Sequence, residues 1–339
     1  MKLSVALAAS VLVLGSLSPG TATAATPVAH VVAAANAFLA TLDDAQKKKV
    51  VYAFDDASQR VRWSNLPVTI VPRGGMNLKE MSAEQKAAAM KLLAAVLSPA
   101  GYDKIQKIMQ GDEVQAKTTG RTSMFGKDLY YMSLLGTPSE KTPWMLQFGG
   151  HHMALNITVA GERGILTPTH TGAQPAIYKM GDKTVRPLKG ESDKAIALLK
   201  SLDAKQRSQA ILNYRVANLV LGPGEDGKTI QPEGLEASAM NAHQRTLLLD
   251  LISEWAGIIE QSSASARMAE MKADLDETWF AWSGPEEMAP GSNVTAYYRI
   301  QGPHLVIEYA PQGNEPATHI HTMYRDPTND YGAKLIPTK

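Results

Sequence analysis

His319 and His321 stand one residue apart in Thr318-His319-Ile320-His321-Thr322. In an extended chain alternate side chains share a face, so the two imidazoles project together while Ile320 turns toward a core. Two imidazoles on one face can chelate a divalent ion. A second constellation lies in His151-His152-Met153-Ala154-Leu155-Asn156-Ile157-Thr158-Val159. Its odd positions are apolar and its even ones small or polar, which puts His152 and Asn156 on a polar face and His151 with the core residues. The same alternation sets His304 and Glu308 together, opposite Leu305, Ile307 and Tyr309. His170 follows in the loop Thr167-Pro168-Thr169-His170-Thr171-Gly172, and the remaining histidines, His30 and His243, fall in helical patterns and receive no role.

The chemistry these residues could perform is metal binding. The chain has no cysteine, so thiolate sites, disulfides and a cysteine nucleophile are excluded. A site combining His152, His170, His304, His319 and His321 with Glu308 suits zinc, copper or non-haem iron, and ligand type does not choose among them. If such a site is catalytic, Glu308 is a ligand or the general base, and Arg325 balances anionic charge on a substrate or intermediate. Fifteen methionines do not single out copper, because Met81, Met90, Met240 and Met268 sit in or beside helical patterns, where methionine fills cores. The competing reading is a metal-free binding or structural protein, in which the histidines hydrogen-bond strand ends and Arg325-Asp326 is an internal ion pair.

The elements that must position these groups come in a recurring order. Val28 to Leu42 reads as a helix, and Asp43 with Gln46 forms a capping-box pair opening the next. Ser82 with Gln85 repeats that signature before Lys86 to Leu97, and Ser98-Pro99 opens a helix through about Gln115. Strands are expected at Asp128–Leu135, Trp144–Phe148, His151–Ala160 and Gly164–Thr167. The order then restarts. Asp203 with Gln206 matches Asp43 with Gln46 at a separation of 160 residues (203 − 43), and Asn241 with Gln244 matches Ser82 with Gln85 at 159 (241 − 82). His304 answers His152 after a similar Gly-x-His turn at 152 (304 − 152). These registers predict two halves, 27–190 and 191–339, each helices first and strands second. Duplicated halves commonly pack about a two-fold axis, which is why the histidines of both halves are assigned to one site. The expected class is α+β, two pseudo-repeated helix-then-strand halves around an antiparallel sheet core.

Composition narrows the partners. A net charge of +1 over 339 residues, with no long run of one sign, gives no basis for nucleic acid as a partner and leaves a small-molecule ligand open. Residues 1–24 combine Lys2, an apolar run from Leu3 through Leu17 and Ala22-Thr23-Ala24, the pattern of a cleaved export signal, so a periplasmic or extracellular address is expected and no membrane span. Gly222 to Thr229 fits the phosphate-loop pattern, but Pro232 and Gly234 oppose the helix that would have to start at Lys228-Thr229.

Three stretches carry a family resemblance: Gly149-Gly150-His151-His152-Met153-Ala154-Leu155-Asn156, Gly172-Ala173-Gln174-Pro175, and His319-Ile320-His321-Thr322-Met323-Tyr324-Arg325-Asp326-Pro327-Thr328-Asn329-Asp330-Tyr331-Gly332. With them the mature chain resembles the exported bacterial and fungal proteins of the domain-of-unknown-function 3500 family. The resemblance implies membership over nearly the whole mature chain and no particular reaction, and its histidine motifs match here at His151, His152, His319 and His321.

Overall fold

The computed structural model describes residues 26–335, so the expected export signal at 1–24 lies outside the described residues. The chain begins with α1 (Pro27–Ala40) and α2 (Asp44–Val50), then β1 (Val51–Tyr52), α3 (Ala57–Arg60) and β2 (Met76–Asn77). It continues through α4 (Ala83–Val96) and α5 (Pro99–Thr119) into β3 (Tyr131–Leu135), β4 (Trp144–Gly149), β5 (Met153–Ala160), β6 (Arg163–Ile165) and β7 (Thr169–Ala173). A small hairpin, β8 (Tyr178–Met180) and β9 (Lys183–Val185), leads to α6 (Lys189–Ser201), α7 (Ala204–Ala210) and β10 (Leu235–Glu236). Then come α8 (Ala242–Ala256), α9 (Gln261–Ala273), β11 (Trp279–Ser283), β12 (Tyr297–Gly302), β13 (Leu305–Pro311) and β14 (Ile320–Arg325). The boundary expected at 190/191 falls in the first turn of α6.

All four expected capping boxes form, at Asp43, Ser82, Asp203 and Asn241. Each Gln satisfies the N-cap amide while the cap side chain accepts from the Gln amide, so two otherwise orphaned donors are paired. The glutamines also tie helix to helix. Gln85 Nε2 donates to Gln46 and to the carbonyl of Thr41, and Gln244 Nε2 donates to Gln206 and to the carbonyl of Ser201.

The strands form one twelve-stranded, mostly antiparallel sheet running β1-β3-β4-β5-β7-β14-β13-β12-β11-β10, with β2 on β3 and β6 on β5. The class is therefore α+β. Its centre is the antiparallel pair β7 and β14, which joins the strands before α6 to those after it. One face carries Met132, Leu146, Phe148, Leu155, Ile157, Ile300, Ile307 and Tyr324 into the main core, packed with Phe38, Leu92, Ile108, Leu251 and Trp255 from the helices. The other face mixes polar Ser133, Gln147, Asn156, His170, Glu308 and Arg325 with a smaller apolar cluster of Leu135, Met145, Ala154 and Met323, and is covered by the segments 53–75 and 212–234. Gln59 reaches Ser133 and Gln147 from the first segment, and the amides of Val220 and Leu221 reach Glu308 from the second. The phosphate-loop look-alike lies in this second covering segment and is irregular, with no helix at Lys228-Thr229. Among the described residues no helix is long and apolar enough to cross a membrane.

Candidate metal centre

Strand direction decides which histidines meet. β5 and β14 run parallel to each other, both antiparallel to β7 between them. Their starts therefore lie at one end of the sheet, bringing His152, just before β5, level with His319 and His321. Gly172 of β7 sits between, opposite His321 in register, and its amide donates to the carbonyl of His152. A Cβ at Gly172 would stand 3.1 Å from His321 Cδ2, 3.2 Å from His152 Cδ2 and 2.9 Å from the carbonyl oxygen of Ile320. Any side chain there would press on both rings.

His319 Nε2 and His321 Nε2 are 3.2 Å apart, and one nitrogen from each of His152, His319 and His321 falls within a mutual 4.8 Å. Two nitrogens bound to one tetrahedral zinc at about 2.0–2.1 Å stand about 3.3 Å apart. The pair already has ligand spacing, and His152 is within about an ångström or two of it.

The other nitrogen of His152, of His170 and of His321 has a partner. Asp112 of α5 accepts from His152 Nδ1 at 2.6 Å and from the Tyr130 hydroxyl at 2.6 Å. His170 Nδ1 donates to the carbonyl of Thr322 at 2.9 Å. These bonds fix both tautomers with the proton on Nδ1, and His152 Nε2 and His170 Nε2 are buried without a hydrogen-bond partner. Asn65 Nδ2 lies 3.1 Å from His321 Nδ1, and turning that amide over puts its oxygen there instead. With the oxygen turned toward His321, that ring too holds its proton on Nδ1 and frees Nε2.

The electrostatics suit a cation. Burial drives the His152 and His321 pKa values far down, with neighbouring histidines adding to the effect. Burial likewise lowers His319 to about 4, His170 to about 3 and His151 to about 2. All five rings are uncharged at neutral pH and keep lone pairs for a metal. Burial pushes the fully enclosed Asp112 carboxyl up to about 6, against the pull of His151 and the Tyr130 hydrogen bond. Its hydrogen-bond partners are that tyrosine and a neutral imidazole, so a buried negative charge stands beside neutral nitrogens.

The match of the DUF3500 family model to residues 24–333 spans nearly the whole chain. The chain belongs to this family of proteins of unknown function. No curated protein and no solved structure gives a significant match. In this DUF3500 chain the cluster draws His151, His152, Gly172, His319 and His321 from the three family-like stretches singled out above, and adds His170 of β7 and Asp112 of α5 from outside them.

The structure separates the other expected site residues from this centre. His304 lies just before β13, which runs antiparallel to β5, so the two turns sit at opposite ends of the sheet. Ala310 is the residue paired with His321. Six residues of strand from 304 to 310 put His304 about 20 Å away. There its Nδ1 meets the Thr328 hydroxyl at 3.0 Å, and it edges a surface groove with Arg267, Tyr324 and Asp326. Glu308 is fully buried two strands from His170, with Met323 between them in register. Its carboxylate accepts from the amides of Val220 and Leu221 and from the Tyr297 hydroxyl, so it holds the covering segment. Arg325 binds Asp226, Asp330 and the carbonyls of Leu221 and Gly222, whereas Asp326 pairs with Arg267. His170 is in the cluster, its ring centroid 5.2 Å from that of His321.

His151 does not behave as a core residue of β5. It precedes the strand, where alternation no longer governs it, and its Nδ1 turns toward Asp112 at 3.9 Å. Asp112 itself carried a signal in the sequence: with Ile105, Ile108, Met109 and Ala116 it lies on the buried face of α5, a costly place for a carboxylate without a partner. Asn65 sits in an irregular segment, with no periodicity to mark it.

Proposed function

We propose that this protein is an exported metalloprotein whose ion is held by His152 Nε2, His319 and His321, with His170 Nε2 as a further nitrogen beside it. The observation that carries this reading is the convergence of the three ring nitrogens within 4.8 Å, two of them at 3.2 Å. The donor set is imidazole alone, which suits zinc, copper or iron. Asp112 and the Thr322 carbonyl act behind the ligands, orienting His152 and His170 as second partners of metal-bound histidines commonly do. His319 is half-buried, so solvent and a small ligand reach the ion from its side. With His170 outside the three-histidine group, three protein nitrogens leave a position open, the pattern of zinc sites that bind water or substrate.

Two further parts of the reading concern the whole chain. Residues 1–24 direct export and are removed. The two halves arose by duplication, a view supported by the four capping boxes and by the strand path, which runs β3-β4-β5-β7 on one side of the sheet centre and β11-β12-β13-β14 on the other. Because the central pair is antiparallel, equivalent turns fall at opposite ends of the sheet, and only one end carries the site.

Metal analysis of protein purified without a histidine tag tests the proposal. At least one tightly held ion per chain is expected, with one equivalent lost in His319→Ala and in His321→Ala while the fold is retained. Wild-type protein that binds no zinc, copper or iron in stoichiometric amount leaves the metal-free binding protein in its place.

A further inference from the structure

The cluster contains a second group of ligand atoms that the three-histidine centre does not use. One oxygen of Asp112 and one nitrogen from each of His151 and His152 lie within a mutual 4.8 Å, and all three residues are buried. His151 Nδ1 is enclosed without a hydrogen-bond partner, 3.9 Å from Asp112 Oδ1. The ring centroids of His151 and His152 are 3.6 Å apart with the planes inclined by 39°, and the Phe125 ring lies 5.0 Å from His151. An imidazole nitrogen buried without a partner is unfavourable, so its orientation beside a carboxylate calls for one.

We propose that Asp112 Oδ1, His151 Nδ1 and His152 Nδ1 form a second cation position, with the His152 ring bridging it to the ion at His152 Nε2. This rests on the three-histidine reading for its bridge but uses two residues, Asp112 and His151, that the first ion does not need as ligands. The donor set has one oxygen and two nitrogens, and it suits the same borderline divalent ions. Binding there replaces the Asp112–His152 hydrogen bond. The His152 Nδ1 proton leaves to solvent, the ring becomes an imidazolate, and its two nitrogens each donate a pair to one ion. A separation of 2.6 Å is a hydrogen bond and is too short for two ligands of one ion, so the pair opens by about half an ångström when the ion enters. The carboxylate and the imidazolate each supply one negative charge against the two ions.

The test is zinc titration of the metal-free protein, followed by removal of loosely bound ion and metal analysis, on wild type, His151→Ala, Asp112→Asn, and the double variant His319→Ala/His321→Ala. Two zinc ions per wild-type chain and one in His151→Ala and in Asp112→Asn are the expected results. Copper(II) supplies a second readout: two ions bridged by one imidazolate couple magnetically, so the wild-type spin signal falls well below that of two isolated ions, while His151→Ala gives the full signal of one. A single ion in wild type, kept by His151→Ala and lost by the double variant, overturns the second position and leaves the first reading standing. Zero ions in wild type overturns both. A second ion retained in both His151→Ala and the double variant is bound elsewhere, which also overturns the proposal. Circular dichroism and thermal melting of each variant establish that lost binding reflects lost ligands, and Asp112→Asn, which preserves the side-chain volume, supplies the second variant should His151→Ala misfold.

Discussion

Asp112 Oδ1 lies 2.6 Å from His152 Nδ1, a pairing between residues 40 apart in sequence that joins the middle of α5 to the start of β5. A carboxylate that accepts this proton fixes the ring so that its free Nε2 faces His319 and His321. Changing Asp112→Asn keeps the volume and leaves an amide oxygen able to accept, but removes the negative charge that strengthens the ligand. The first zinc ion is expected to bind about 10–100-fold more weakly, the usual effect of losing such an orienting partner. Competition against a chelating dye reads this directly, and unchanged affinity would remove Asp112 from the account.

Gly172 supplies the second prediction. A methyl there would meet the rings of His152 and His321 at 3.2 and 3.1 Å and would also press on the Ile320 carbonyl at 2.9 Å, backbone that cannot turn aside. Gly172→Ala should spread the two rings by a few tenths of an ångström and cost about 1–3 kcal/mol of stability through overpacking. Zinc affinity is expected to fall more than in a control, Gly181→Ala, in the turn between β8 and β9, where a Cβ has open space although the positive φ of 56° adds local strain. Equal zinc affinity in the two variants would show that the spacing of the rings is not limiting.

How far the sequence foretold this centre follows from the same residues. Alternation placed His319 with His321 correctly, even though β14 as formed begins at Ile320, because an extended backbone on both sides of Ile320 suffices. The capping boxes marked the N-caps of α2, α4, α7 and α8, since their signal is local and chemical. Alternation failed at His151 and His304, which lie in turns outside their strands. It could not tell which ends of the strands meet, and that is decided by the antiparallel pairing of β7 with β14. Asp112 was legible only as an anomaly on an apolar helix face, and its partner became visible once α5 was seen beside β5.

Acid should act on the metal-free protein through these rings. In the folded state burial lowers the His170 pKa to about 3, from an ordinary value of 6.5. The unfolded chain therefore takes up a proton as pH falls through about 6.5 while the folded chain does not, and the stability contributed by the neutral ring is present above 6.5 and declines below it. Comparing wild type with His170→Asn cancels the other titrating groups. The stability difference between them is expected to move in favour of the variant by about 1–2 kcal/mol between pH 6.5 and pH 5, given about 1.4 kcal/mol per pH unit for one proton. Urea unfolding at both pH values, with chelator present, provides the measurement. A difference independent of pH would mean that His170 is protonated equally in both states.

The final prediction separates Arg325 from the metal. Its guanidinium is 2% exposed, donates to Asp226 and Asp330 at 3.0 and 2.8 Å, and also holds the carbonyls of Leu221 and Gly222. Asp226 in turn accepts from the Tyr331 hydroxyl, and that hydroxyl accepts from Trp63 Nε1, so one knot ties both covering segments to the end of β14. Tyr331 adopts a left-handed backbone with φ of 58°, a conformation a tyrosine holds only when surrounding contacts impose it. Arg325→Met would leave Asp330 buried with its charge uncompensated and two carbonyls without donors. A loss of about 3–5 kcal/mol is expected, the range for breaking one partner out of a buried ion pair. Because Arg325 touches none of the ring nitrogens, the protein that remains folded at low temperature should still bind zinc with nearly wild-type affinity. Loss of zinc binding without loss of stability would place Arg325 in the metal centre after all.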